Sequence, residues 1–227
     1  MAAPSVVTLR RDFARPDAAT VARFAGLPTG YLTDALGRRG ALTAQIRPVG
    51  RFAPFVGVAL TVSETTGSNL ALGVAMGEMQ PGDVLMIAAE GFAEAAIFGG
   101  NIVGMCRNGQ IAGMVIDGAV RDAEEIEQIG LPVFARSVTP NSPFKHGPGA
   151  VGGAIVVGGV AVRSGDIVAG DRDGVVVVPQ ERIAETLAAL EGVKAKEAKQ
   201  DQGIAGGLIV PEWLAEFRAQ GGVKVIG

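Results

Sequence analysis

The chain has 227 residues, 48% of them hydrophobic and 19% charged, a balance that excludes a disordered chain. A net charge of −3, from 20 basic and 23 acidic residues, excludes a generally basic nucleic-acid binder. One cysteine (Cys106) permits no intrachain disulfide and fits a reducing, cytoplasmic setting, and one histidine (His146) excludes a His-rich zinc site.

Taken in chain order, residues 16–25 read as a short helix and 30–36 as a second, with Thr29 as cap and Gly37 as stop. Residues 56–63 (VGVALTVS) read as a buried strand. Ser68 then caps a helix through Met79, and Pro81-Gly82-Asp83 turns into a strand over 84–88. Residues 89–99 read as a loop, 100–108 as a helix closed by Gly109, 111–116 as a strand, and 122–129 as a helix with Gly130 just past its end. Four short strands follow, at 133–135, 154–157, 160–163 and 175–178, separated by Gly or Asp turns. Residues 181–199 form an amphipathic helix with Ile183, Leu187, Leu190 and Val193 on one face. A glycine-rich break at 203–207 precedes a last helix at 211–218. No linker divides the chain, so the expectation is one α/β domain over 1–227 with a helical C-terminal tail at about 181–220.

Several motifs carry little. The longest uncharged apolar run, 147–162, has 16 residues and six glycines, too short to span a membrane. The first residues hold no apolar core of signal-peptide length. Residues 147–152 match G-x-G-x-x-G, but no strand precedes them and no helix follows, so a glycine-rich loop is expected and not a dinucleotide site. Asp171-Arg172-Asp173-Gly174 starts like a calcium loop and stops in VVVV, which reads as a turn into a strand. Cys106 reads as a small buried hydrophobe. Schiff-base chemistry needs a desolvated lysine; none precedes Lys145, the only candidate.

The strongest signal is IAGMVIDGAVRDAEE (111–125). A buried strand ends at Asp117-Gly118, and after a short loop Arg121-Asp122 opens a helix. Ligands bind at such carboxyl ends of strands. Arg121 offers a fork to a carboxylate and Asp122 a hard oxygen to Mg²⁺ or Mn²⁺. The plain alternative is a helix cap beside a surface charge. Upstream, Gly99-Gly100-Asn101-Ile102 begins another helix, where glycines let a substrate approach free amides. The plain alternative there is a permissive turn.

Gly100, twenty residues, Arg121-Asp122, two residues and Glu125 together fit a G-x20-R-D-x2-E/D pattern. In this the chain resembles the class II pyruvate aldolases of the RraA-like superfamily, which cleave 4-hydroxy-4-methyl-2-oxoglutarate and 4-carboxy-4-hydroxy-2-oxoadipate. Residues 33–49, 65–76, 80–88, 165–179 and 195–199 also have counterparts there in the same order. Two positions depart from the family: Gly100, where Asp or Glu is frequent, and Ser68, within a family Gly-Asp-Asn. The resemblance implies a β/β/α swivelling-type fold and trimers or hexamers with sites between subunits. It implies that Arg121 binds the pyruvyl carboxylate and enolate, that Asp122 ligates Mg²⁺ or Mn²⁺, and that Gly100, Asn101 and Ile102 line the carboxylate site. Asp34 and Glu197 of a neighbouring subunit would complete the metal shell. The implied activity is retro-aldol release of pyruvate from a small 4-hydroxy-2-oxo acid, with oxaloacetate decarboxylation, and no nucleic-acid or membrane partner. The same superfamily contains protein-binding regulators of ribonuclease, which is the alternative.

Overall fold

The computed structural model describes residues 5–50 and 53–226. Its centre is a nine-stranded mixed sheet built around the long strand Phe55–Ser63. Asp83–Ala88 pairs parallel to it, Gly113–Ile116 parallel to that, and Val133–Ala135 parallel in turn. These strands are covered on both faces, which explains why they read as unbroken apolar runs without alternation. On the other side of Phe55–Ser63, the strand Ile167–Gly170 pairs antiparallel with its first half, and Gly149–Val151 with its end. A hairpin, Ala154–Val157 and Val160–Arg163, covers part of the sheet; its two-residue turn places Gly158 and Gly159 at φ 54 and 84, as the tight hairpin turn demands.

Three apolar layers result. One lies beneath the helices Leu70–Met76, Gly100–Asn108 and Ala123–Ile129 and contains Leu72, Val103, Cys106 and Ile126. Phe134, Met86 and Val157 belong to a second, under the hairpin. The third joins Leu32 and Leu36 to Leu187 and Leu190 of the long helix Ile183–Ala205.

The feature that positions the site is a break in three neighbouring strands. Beyond Ala88, Ile116 and Ala135 the chain leaves the large sheet and pairs again as a small parallel sheet of Ala96–Phe98, Ala119–Val120 and Ser137–Val138. Asp117 pins the break. Its carboxylate accepts the Ala89 N–H at 2.7 Å, and its carbonyl accepts Arg136 Nε–H at 3.1 Å. Gly118 is required there, because a Cβ would lie 2.9 Å from that of Ala89.

Several elements differ from the sequence expectations. Residues 89–99 contain the strand Ala96–Phe98, and the loop after Gly118 contains the strand Ala119–Val120. Thr29 opens its helix but does not cap it: its N–H and hydroxyl both donate to Asp171, each at 2.7 Å. The calcium-like Asp171-Arg172-Asp173-Gly174 segment is therefore the turn between Ile167–Gly170 and Val175–Val178, and it also anchors a distant helix. Ser68 contributes one bond, from Leu70 N–H at 3.2 Å, while buried Glu64 takes the Ala71 and Leu72 amides. The long helix continues to Ala205, past Gly203, and the last helix is Trp213–Ala219. Gly149–Val151 is a strand, so the G-x-G-x-x-G match opens no helix.

Candidate active site

Two strands of the small sheet end side by side, and each runs straight into a helix. Ala96–Phe98 passes through Gly99 into Gly100–Asn108, and Ala119–Val120 passes through Arg121-Asp122 into Ala123–Ile129. Because the strands are parallel, both helix N-termini open on the same edge. The Arg121 N–H donates to the Phe98 carbonyl at 3.0 Å, which ties the two crossings together.

Asp122 occupies the helix-start position with φ 58 and ψ 45, a left-handed conformation unusual for a residue with a side chain. It makes no capping bond to its own helix. The carboxylate turns instead to the neighbouring one: Oδ2 accepts the Gly100 N–H at 3.1 Å and lies 3.4 Å from Arg121 Nε. Arg121 Nη1 donates to Ser142 Oγ at 2.7 Å. The guanidinium is thereby held from two sides while its side chain stays 36% exposed, and Asp122 is 38% exposed. A fixed cation with an open face suits an incoming carboxylate. Sequence reasoning missed Ser142, which lies in an irregular segment with no periodicity to mark it.

The two glycines have a sharper role than permissiveness. A Cβ on Gly99 would strike Asp122 Oδ2 and lie 2.8 Å from Arg121 Cγ. On Gly100 it would strike the carboxyl of Glu125. They are small so that the Arg-Asp-x-x-Glu side chains can lie on this helix start. Of the two amides expected to hold a carboxylate, those of Asn101 and Ile102, that of Ile102 donates to the Gly99 carbonyl at 3.1 Å, while the neighbouring Gly100 N–H donates to Asp122. The exposed Asn101 N–H has no acceptor among the described residues.

Other candidates stand apart. Asp34 is exposed on the helix Thr29–Ala35, and Glu197 is half-buried on Ile183–Ala205; these two helices pack against each other. Within one chain they do not converge with Asp122: among the described residues no three His, Cys, Asp or Glu side chains form a metal cluster. The donors at the site are nonetheless of the right kind for a hard ion. Asp122 has a committed and an uncommitted oxygen, Glu125 lies alongside, and Mg²⁺ commonly takes one or two carboxylates and keeps water elsewhere. Lys145 is exposed, like every other lysine, so no desolvated amine is present for a Schiff base. Cys106 is fully buried with its thiol pushed up to about 12 by burial, and His146 is exposed, which removes a thiol–imidazole pair.

An arginine and a carboxylate on paired helix starts lie at the carboxyl edge of a parallel sheet, where α/β folds commonly take ligands. Residues 29–177 match the RraA-like family (Aldolase/RraA), and the chain belongs to it. A Halalkalibacterium halodurans protein, provisionally named 4-hydroxy-4-methyl-2-oxoglutarate aldolase, is 36% identical over 82% of this chain and 88% of its own. The Thermus thermophilus 4-hydroxy-4-methyl-2-oxoglutarate aldolase is 31% identical over 67% of this chain and 92% of its own. The solved structure of the RNA-processing inhibitor RraA from Thermus thermophilus is 30% identical and superposes with a TM-score of 0.63, over 68% of this chain and 93% of that one. No helix among the described residues is long and apolar enough to cross a membrane.

Proposed function

We propose that the protein is a divalent-metal-dependent lyase that cleaves a 4-hydroxy-2-oxo acid to pyruvate and a second oxo acid, and that it also decarboxylates oxaloacetate. The observation that carries this reading is Arg121, fixed between Asp122 and Ser142 with its side chain 36% exposed, on a helix start paired with the one whose Asn101 amide has no acceptor among the described residues. The aldolase names of the relatives support it.

In both reactions a carbon–carbon bond breaks and leaves a pyruvate enolate, with negative charge growing on the keto oxygen. Arg121 supplies a preorganised positive charge next to that oxygen and to the substrate carboxylate. The Asn101 N–H gives the carboxylate a second donor. Asp122 would hold Mg²⁺ or Mn²⁺, which adds Lewis-acid polarisation of the keto oxygen when bound. The bond from Gly100 and the ion pair with Arg121 keep the Asp122 carboxylate aimed at the same point. Asp34 and Glu197 come from a neighbouring subunit in this reading, with the site completed on assembly as a trimer or hexamer.

One comparison favours a second reading, a protein-binding inhibitor of RNA processing, through the name of the Thermus RraA structure. Chelator-treated protein is to be assayed for pyruvate release from oxaloacetate and from 4-hydroxy-4-methyl-2-oxoglutarate, with and without added Mn²⁺. Release that returns with the ion supports the lyase. No release under any condition, together with inhibition of a ribonuclease, supports the regulator.

A further inference from the structure

Arg121 and Asp122 serve the pyruvyl end of the substrate, and no residue has yet been assigned to the group carried at C4. Ser142, whose hydroxyl accepts from Arg121 Nη1 at 2.7 Å, leads to one. Phe144 lies two residues on, at most about 7 Å along the chain. Its backbone is fixed from both sides: the N–H donates to the Gly67 carbonyl at 2.8 Å, and the carbonyl accepts the Asn69 N–H at 3.0 Å. The ring nevertheless stands in solvent, 60% exposed. Outside the C-terminal arm it is the only exposed Phe, Tyr or Trp among the described residues. Gly67, at φ 74, gathers a second ring to the same place, since a Cβ on it would lie 3.5 Å from Phe92 Cε1 and 3.7 Å from Phe144 Cδ2. Asn141 ties this segment to the loop that bears Phe92, its Nδ2 donating to the Glu94 carbonyl at 2.9 Å. His146 adds a third ring, its centroid 5.2 Å from that of Phe144. Glu90, which accepts from Thr66 Oγ1 at 3.3 Å, sets a negative charge beside Gly67, and Lys145 sets a positive one beside Phe144. The two offset each other, so the wall is aromatic without a net charge to attract a second carboxylate.

We propose that Phe144, backed by Phe92, is a specificity-determining residue that packs on the C4 substituent, and that the preferred 4-hydroxy-2-oxo acids carry an alkyl or aryl group there. The inference rests on the lyase reading and names the substrate class of that site. A carboxylate held at Arg121 puts C4 three bonds away, roughly 4 Å, which brings its substituent to the segment that carries the ring. In the retro-aldol step the C3–C4 bond breaks and its electron pair forms the enolate. The C4 hydroxyl yields its proton to water and becomes the oxo group of the departing fragment, and the enolate takes a proton from water to give pyruvate. Phe144 holds the fragment and takes no part in the bond change. Oxaloacetate is the internal control, because its C4 is the carboxylate that leaves as CO₂ and bears no substituent.

The test is pyruvate release by the intact, Mn²⁺-loaded protein from 4-hydroxy-2-oxo-4-phenylbutanoate, 4-hydroxy-4-methyl-2-oxoglutarate and oxaloacetate. It is compared as kcat/KM in wild type, Phe144→Ala and Phe144→Leu; the ring is exposed, so both variants should fold. Wild type should favour the phenyl substrate over the dicarboxylate. An apolar contact with a substrate group is worth about 10–200-fold in kcat/KM. Phe144→Ala should therefore lower kcat/KM for the phenyl substrate at least about tenfold, through KM more than kcat, and leave oxaloacetate unchanged. Phe144→Leu, still apolar, should recover most of the loss. An unchanged phenyl rate in Phe144→Ala, an equal loss on oxaloacetate, or a wild type that prefers the dicarboxylate overturns the inference and leaves the lyase reading standing. A wild type that releases no pyruvate from any of the three overturns both.

Discussion

Asp122 is the residue at which backbone and chemistry conflict. A left-handed conformation costs a non-glycine residue about 1–3 kcal/mol, and here it aims the carboxylate away from its own helix and onto the next. Asparagine tolerates this region and retains an acceptor for the Gly100 N–H. Asp122→Asn should therefore fold with nearly wild-type stability while losing divalent-ion binding; a folded variant that binds Mn²⁺ normally would contradict the assignment. Glu64 makes a different demand. It is 5% exposed, and burial pushes its carboxyl up to about 7 from 4.5, against the opposing pull of the Leu72 and Ala71 amides. A raised folded value means that the stabilisation is complete below pH 4.5, falls as the unfolded chain ionises first, and is gone once pH passes about 7. The span corresponds to roughly 3 kcal/mol. Urea unfolding at a series of pH values should show this decline in wild type and a flatter profile in Glu64→Gln; identical profiles would show that Glu64 is not its source.

At the scale of elements, legibility followed locality. The helix Gly100–Asn108 was readable to the residue, because glycines bound it on both sides and its apolar positions repeat. Arg121 and Asp122 stood out because a buried strand ends just before a helix with acids in its first turn. The strands Ala96–Phe98, Ala119–Val120 and Ser137–Val138 were not legible. Each has two or three residues, too few for a period, and each exists only through its parallel neighbour. The capping of Thr29 was hidden for a similar reason, since its acceptor Asp171 lies 142 positions away. Likewise the long helix stops at Ala205 and not at Gly203, because Gly207 at φ 92 turns the chain so that the Leu208 N–H donates to the Gly203 carbonyl at 2.9 Å and closes the helix end. Removal of a cap typically costs ~1 kcal/mol and up to about 2. Asp171→Ala should lower stability by that order in denaturant unfolding and leave turnover per folded molecule unchanged. A loss of turnover in fully folded Asp171→Ala would place the residue in the site instead.

At the scale of the whole molecule, the C-terminal arm presents apolar side chains to solvent: Ile209 is 94% exposed, Trp213 61% and Phe217 45%. The ion pair of Lys199 with Glu212, 2.9 Å, ties this arm to the long helix. Large apolar side chains left exposed along one segment, with the Trp213 and Phe217 rings 5.9 Å apart, are the kind of surface that association covers, which supports the proposal that sites are completed between subunits. Sedimentation should give a mass of several chains for wild type, and a smaller one when Trp213 and Phe217 are both changed to serine, with pyruvate release lost in parallel. A monomer with undiminished release would contradict the shared site.

In the proposed reaction Arg121 stabilises charge on a substrate held beside a divalent ion. Pyruvate release from oxaloacetate and 4-hydroxy-4-methyl-2-oxoglutarate, in Mn²⁺-loaded wild type, Arg121→Ala and Arg163→Ala, measures that role. Arg163 is an exposed arginine that pairs with Glu181 at 3.7 Å on the surface, outside the site. Loss of one such electrostatic group costs ~3–4 kcal/mol, about 10²–10³ in turnover. That loss is expected in Arg121→Ala, with fold and assembly intact and Arg163→Ala at the wild-type rate. Wild-type turnover in folded Arg121→Ala on every substrate that wild type cleaves would contradict it.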